Sequence, residues 1–136
     1  MDLPFVVGGA DLLRLTLLCR KVDKELALSA GFSVDELHCL GVLYLERPSC
    51  VKKLSQFLGL SATRTSKILR SLEQKGYVAR ALQLTDRRKE QVTLTREGME
   101  AAENVLSISS EVGKKVCSSI PAEIVPYLSR LVQMSD

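Results

Sequence analysis

One short stretch of the chain gathers side chains able to grip a polyanion. Between Ser61 and Leu72 stand Thr63, Arg64, Ser66, Lys67, Arg70 and Ser71, with no acid among them. The hydroxyls are short and both donate and accept, while the guanidinium and ammonium groups reach further and carry charge. A second cluster sets Arg87, Arg88 and Lys89 beside a single carboxylate, Asp86. Adjacent cations on a loop repel one another unless an anionic surface compensates them. The same bias extends over the middle of the chain. From Arg47 to Arg96, twelve basic residues stand against three acids, Glu73, Asp86 and Glu90, a surplus of nine. The whole chain carries only +3, so the two flanks together carry −6. That asymmetry implies a polyanionic partner for the middle alone.

Other chemistries find little support. His38 is the only histidine, and no Ser/His/Asp order, Gly-rich phosphate loop or metal-ligand spacing accompanies it. These absences argue against an enzyme, a metal site and a cofactor. Cys19, Cys39, Cys50 and Cys117 are widely spaced with no CxxC pair, which predicts free thiols in a reducing, cytoplasmic setting. The apolar run Leu3–Ala10 is interrupted by Pro4, Gly8 and Gly9 and lacks a basic region before it. It therefore reads neither as a targeting signal nor as a membrane span, which needs about 20 residues.

The elements that must carry the basic clusters follow from periodicity. The length of 136 residues, 46% of them hydrophobic and 26% charged, suits a single globular domain. Aromatics make up 4% with no Trp, so Leu and Val must fill a mainly helical core. A first helix is expected from about Asp11 to Ala30, where Leu12, Leu15, Leu18, Val22 and Leu26 recur at helical spacing. Leu13, Leu17 and Leu28 broaden that stripe beyond what one partner helix needs. Ser33 and Glu36 form a capping box for a second helix that Pro48 should end near Glu46. A third helix covers about Val51 to Leu58, and Gly59 turns the chain into a fourth, capped by Ser61 and ended by Gly76. Its expected buried stripe is Ala62, Thr65, Ile68, Leu69 and Leu72.

After Gly76 the period changes. Residues 77–83 and 91–94 read as strands, with Thr85–Lys89 as a charged hairpin tip. Thr95 caps a long helix to about Cys117, and a last helix covers about Ala122 to Met134 beyond Pro121. The fold class is thus mainly α with a small β-hairpin wing. A lobe over residues 33–96 would be flanked by the helices of residues 1–32 and 97–136.

Two short helices joined through Gly59 and Leu60 make a helix-turn-helix. Small residues at the start of its second helix permit close approach to base edges in a major groove, and Arg and Lys reach guanine acceptors or phosphates. A narrow minor groove, with its enhanced negative potential, would receive Arg87, Arg88 or Lys89. Asp86 is placed to orient one of those guanidinium groups. The expected interface with double-stranded DNA comprises Ser61, Thr63, Arg64, Ser66, Lys67 and Arg70 on the helix and Asp86, Arg87, Arg88 and Lys89 on the hairpin.

These residues resemble the MarR family of winged helix regulators. The resemblance rests on LSQFLGLSATRTSKILRSLEQKGYVAR, beginning at Leu54, and on TDRRKEQVTLTREG, ending at Gly98. It implies a homodimer whose first and last helices interlock, which would use the excess apolar surface of the Leu12–Leu28 and Ile124–Val132 helices. It also implies a sequence-specific regulator, expected to be a repressor on inverted-repeat operators, with Arg88 in the minor groove. Many members bind small aromatic ligands between the dimer helices and the DNA lobe and then release DNA. Here Cys39, Leu43 and Tyr44 are the pocket residues to examine. Two alternatives remain: a cysteine-based redox sensor, and a winged helix used as a protein-interaction module. Peroxide-sensing members carry their reactive Cys at the start of the first helix near tyrosines, whereas Cys19 lies inside it with no Tyr. Interaction modules tend to lose the cationic face that Arg64, Lys67, Arg70 and Arg88 preserve here.

Overall fold

The computed structural model describes residues 8–48, 50–82 and 90–116, together with Glu123 and Pro126. The expected hairpin tip with Asp86, Arg87, Arg88 and Lys89, Cys117, and the helix over residues 122–134 lie outside the described residues.

Local signals set most element boundaries. Helix α1 runs Gly9–Ala30 and stops where Gly31 adopts a left-handed φ of 74°. Helix α2 spans Val34–Leu45 behind a complete capping box. The Glu36 N–H donates to Ser33 Oγ at 3.2 Å, and the Ser33 N–H donates to Glu36 Oε1 at 3.3 Å. Pro48 ends α2 in an unexpected manner, because Arg47 before it takes φ 47°, a left-handed value uncommon outside glycine. Helix α3 spans Val51–Leu58 and helix α4 spans Ala62–Gln74. Strands β1 (Val78–Leu82) and β2 (Glu90–Leu94) pair antiparallel, with Val78 opposite Leu94 and Arg80 opposite Val92. Helix α5 covers Arg96–Val116.

Two apolar clusters hold these elements. The larger joins α2, α3, α4, the hairpin and the start of α5 through Leu40, Leu54, Leu69, Leu72, Val92 and Ala102. The smaller joins α1, α2 and α5 through Leu26, Leu37, Val105 and Val112. Helix α2 contributes to both and so connects the lobe to the long helices. Only the second half of α1 enters a cluster. Leu12, Leu13, Leu15 and Leu17 in its first half are exposed, as is Leu28. Among the described residues, no single helix is long and apolar enough to cross a membrane.

The base of the hairpin meets α5 at very close range. The Thr95 hydroxyl donates to the Gly76 carbonyl at 2.6 Å and accepts from the Gly98 N–H at 3.0 Å. The Thr95 N–H donates to the Tyr77 carbonyl at 3.1 Å. Gly98 lies so near that carbonyl that a Cβ there would stand 1.9 Å from its oxygen. Only a residue without a side chain allows α5 to start at this point.

Candidate nucleic-acid interface

The turn between α3 and α4 is built by Gly59, whose φ of 66° lets its N–H reach the Gln56 carbonyl at 3.2 Å. Ser61 then caps α4, its Oγ accepting the Arg64 N–H at 3.2 Å. Thr65, Ile68, Leu69 and Leu72 are buried and pin one face of α4 to the lobe. Ala62, expected in that stripe, is exposed. The first turn projects past the edge of the core, so the apolar face begins one turn later than the pattern suggested.

The opposite face carries most of the expected set. Thr63, Lys67 and Arg70 are exposed and Ser66 is half-buried. Lys67 and Arg70 have no acidic partner among the described residues. Gln74 extends the same face, four residues beyond Arg70 and seven beyond Lys67, and is exposed. Its spacing alone would have revealed it. Lys52 and Lys53, exposed at the start of α3, add positive charge beside the turn. In a helix-turn-helix the first helix crosses the phosphate backbone.

Arg64 occupies a different position from its neighbours. It lies on the flank of α4 facing α2, where Nη2 donates to Asp35 Oδ2 at 2.7 Å and Nε donates to the same oxygen at 3.2 Å. Lower on that flank, Glu36 accepts from Lys75 Nζ at 2.7 Å and from the Ser71 hydroxyl at 3.4 Å. Burial would raise the Glu36 carboxyl, but hydrogen bonds from Lys75 and Ser33 outweigh it and hold the pKa below the ordinary value of 4.5. Arg80 of β1 is bonded to Glu90 of β2. The sequence counted Arg64, Lys75 and Arg80 as surplus charge. Folding pairs all three with acids, two of which come from outside the basic segment. Among the described residues, fewer cations than the charge count implied are therefore without an acidic partner; on α4 these are Lys67 and Arg70, while Arg64 is exposed but tied to Asp35.

The expected pocket set divides. Leu43 and Tyr44 line a cavity of about 390 Å³ between the end of α2, β2 and the start of α5, with Arg47, Val92, Thr93 and Met99 among its other walls. Cys39 is not there. It is fully buried in the larger cluster beside Leu40. Burial, with Glu36 nearby, pushes its thiol up to about 12. Burial that disfavours the thiolate makes Cys39 a poor nucleophile and argues against it as a redox centre. Cys19 is exposed on α1. Among the described residues, no three His, Cys, Asp or Glu side chains gather where a metal ion could sit.

Comparison with known proteins agrees with this geometry. Residues 36–112 match the family model described as a winged helix DNA-binding domain. The HTH-type transcriptional regulator PapX of Escherichia coli is 31% identical over 91 residues, which cover 60% of this chain and 56% of that protein. The chain thus matches little more than half the length of this relative. A MarR transcriptional regulator from Methanosarcina mazei Go1 superposes with a TM-score of 0.73 at 25% identity, over 88% of this chain and 91% of that one. NadR in complex with 4-hydroxyphenylacetate superposes with a TM-score of 0.79 at 16% identity, over 100% and 97% of the two chains.

Proposed function

The chain belongs to the winged helix DNA-binding domain family and has the fold of MarR regulators, and from that premise we propose that it is a sequence-specific transcriptional regulator. The observation that carries the reading is the free face of α4. Thr63, Ser66, Lys67, Arg70 and Gln74 project from a helix anchored by its opposite face and capped at Ser61. Its N-terminus adds a partial positive charge and unpaired N–H groups suited to a phosphate. In this reading α4 enters a major groove, and Arg87, Arg88 and Lys89 of the hairpin tip reach the adjacent minor groove.

The functional unit is a homodimer acting in the cytoplasm. Its support is the apolar first half of α1, where Leu12 and Leu13 are 57% and 61% exposed. Four leucines exposed within two turns of one helix are an apolar surface of the kind usually covered in solution. Two-fold symmetry then demands an inverted-repeat operator with half-sites about one helical turn apart. In this reading the protein acts as a repressor, the role it would have where the operator overlaps a promoter. The cavity at Leu43, Tyr44, Arg47 and Met99 lies between α2, the hairpin and α5. Its size falls in the range of small-molecule sites, and its apolar walls with one nearby cation suit a small aromatic acid. The 4-hydroxyphenylacetate bound by the structural relative NadR is of that class.

The test is an electrophoretic shift with random and genomic duplex DNA at low salt, followed by selection of the bound fragments. Retained fragments should share an inverted repeat. No shift at low salt would overturn the reading.

A further inference from the structure

Resting on the groove-reading role of α4, we propose that Asp35 determines specificity by positioning Arg64, holding one edge of its guanidinium so that the other edge meets a single guanine in each half-site. Arg64 is the third residue of α4, in the turn whose side chains contact base edges first. Asp35 Oδ2 accepts from both Nε and Nη2, at 3.2 and 2.7 Å. Those two donors form the side edge of the planar fork. The end edge, made by Nη1 and the second Nη2 hydrogen, is left over, and Nη1 has no partner among the described residues. Two parallel donors in that spacing match O6 and N7 of guanine.

The support beneath Asp35 is rigid. It sits in the first turn of α2, which the Ser33–Glu36 capping box fixes. The neighbouring Glu36 ties that turn to Ser71 and Lys75 at the far end of α4. The carboxylate and the guanidinium it orients are therefore carried by two helices already braced against each other. The exposure of the pair also bears on its role. The Arg64 and Asp35 side chains are 60% and 31% exposed, and an ion pair so open to water adds little to folding stability. Beside DNA, a carboxylate repels phosphates and weakens binding to every sequence. Discrimination is the property that gains. An untethered Arg64 could reach several phosphates or bases, whereas a tethered one meets its acceptors at one position.

The test compares the wild type with D35A, D35N and R64K. Each is measured on the selected operator, on operators carrying single base-pair replacements, and on random duplex at one salt concentration. D35A should lose about tenfold of the preference at one G·C pair per half-site, while its binding to random DNA holds or tightens a few-fold. D35N keeps an acceptor oxygen and should fall between D35A and wild type. R64K keeps the charge without the fork and should lose the same preference. The variant combining D35A with R64K should discriminate no worse than R64K, because both changes break one contact. Unaltered preference in D35A and R64K would overturn the proposal, as would equal weakening on all sequences, the mark of a phosphate contact. If D35A does not fold, undiminished discrimination in D35N and R64K refutes the proposal, and loss in both supports it. A wild type that shifts no duplex at low salt overturns the DNA-binding reading and this proposal together. A wild type that binds, with variants of unchanged preference, overturns this proposal alone.

Discussion

Replacing Gly98 with Ala should unlatch the hairpin from α5, and the structure indicates by how much. The added Cβ would stand 1.9 Å from the Tyr77 carbonyl oxygen and 2.9 Å from its carbon, where real contacts essentially never fall under 3.0 Å. The neighbour is backbone, so it cannot swing aside as a side chain would. Moving the carbonyl by the missing ångström disturbs the bond it accepts from the Thr95 N–H. Overpacking of this kind costs about 1–3 kcal/mol, and a lost hydrogen bond adds about 0.5–1.5 kcal/mol. Alanine returns about 0.5–1 kcal/mol through its better helix propensity. The net is about 0.5–4 kcal/mol of destabilisation, and its centre of about 2 kcal/mol lowers Tm by roughly 6–8 °C in a domain of this size. Circular dichroism melts at one fixed protein concentration measure it, since the Tm of any self-associating chain depends on concentration. G113A is the matched control. Gly113 lies in the same helix with nothing within 4 Å of a Cβ, and its substitution should leave Tm unchanged or raise it. A G98A melt within about 2 °C of wild type would refute the close-approach reasoning.

Four further outcomes follow from the same geometry. K67A and R70A should each weaken DNA binding, and where the lost contact is a phosphate the salt slope should fall by about 1 per site; unchanged slope and unchanged sequence preference in both would place the interface elsewhere. E36Q should be less stable than wild type above the ordinary Glu pKa of 4.5, because a lowered folded-state pKa stabilises the charged form; the gap should close as pH falls through that lower value, and a gap independent of pH would contradict the Lys75 pairing. Cys19 should react with iodoacetamide in the native protein while Cys39, pushed up to about 12, reacts only after denaturation; native labelling at Cys39, read by mass spectrometry, would contradict its burial. L12E combined with L15E should convert the proposed dimer to monomers in sedimentation, and an unchanged mass would remove α1 from that interface.

Features decided within one or two helical turns could be read from the residues. Ser33 with Glu36, Gly31, Gly59 and Ser61 set element ends because caps and left-handed turns depend on neighbours a few positions away. The exposed face of α4 was legible in the same way, since Thr65, Ile68, Leu69 and Leu72 repeat at the helical period and leave Thr63, Ser66, Lys67 and Arg70 outside. Errors arose where a residue's surroundings came from distant chain. Ala62 obeys the period but lies past the end of the core. Cys39 shares α2 with Leu43 and Tyr44, yet its rotation about the helix axis buries it in the cluster instead of the cavity.

The sequence by itself determined the order of elements, the turn that presents α4, and the chemical character of its outer face. These rest on local hydrogen bonding and on the alternation of apolar and polar residues, both properties of contiguous chain. Tertiary structure alone decided which cations take an acidic partner. Asp35 lies 29 residues from Arg64, Glu36 lies 39 residues from Lys75, and no spacing rule connects them. Only packing of α2 along the flank of α4 brings those carboxylates within bonding distance. The same holds for Gly98, whose need for a bare backbone comes from the Tyr77 carbonyl that the folded hairpin delivers to it.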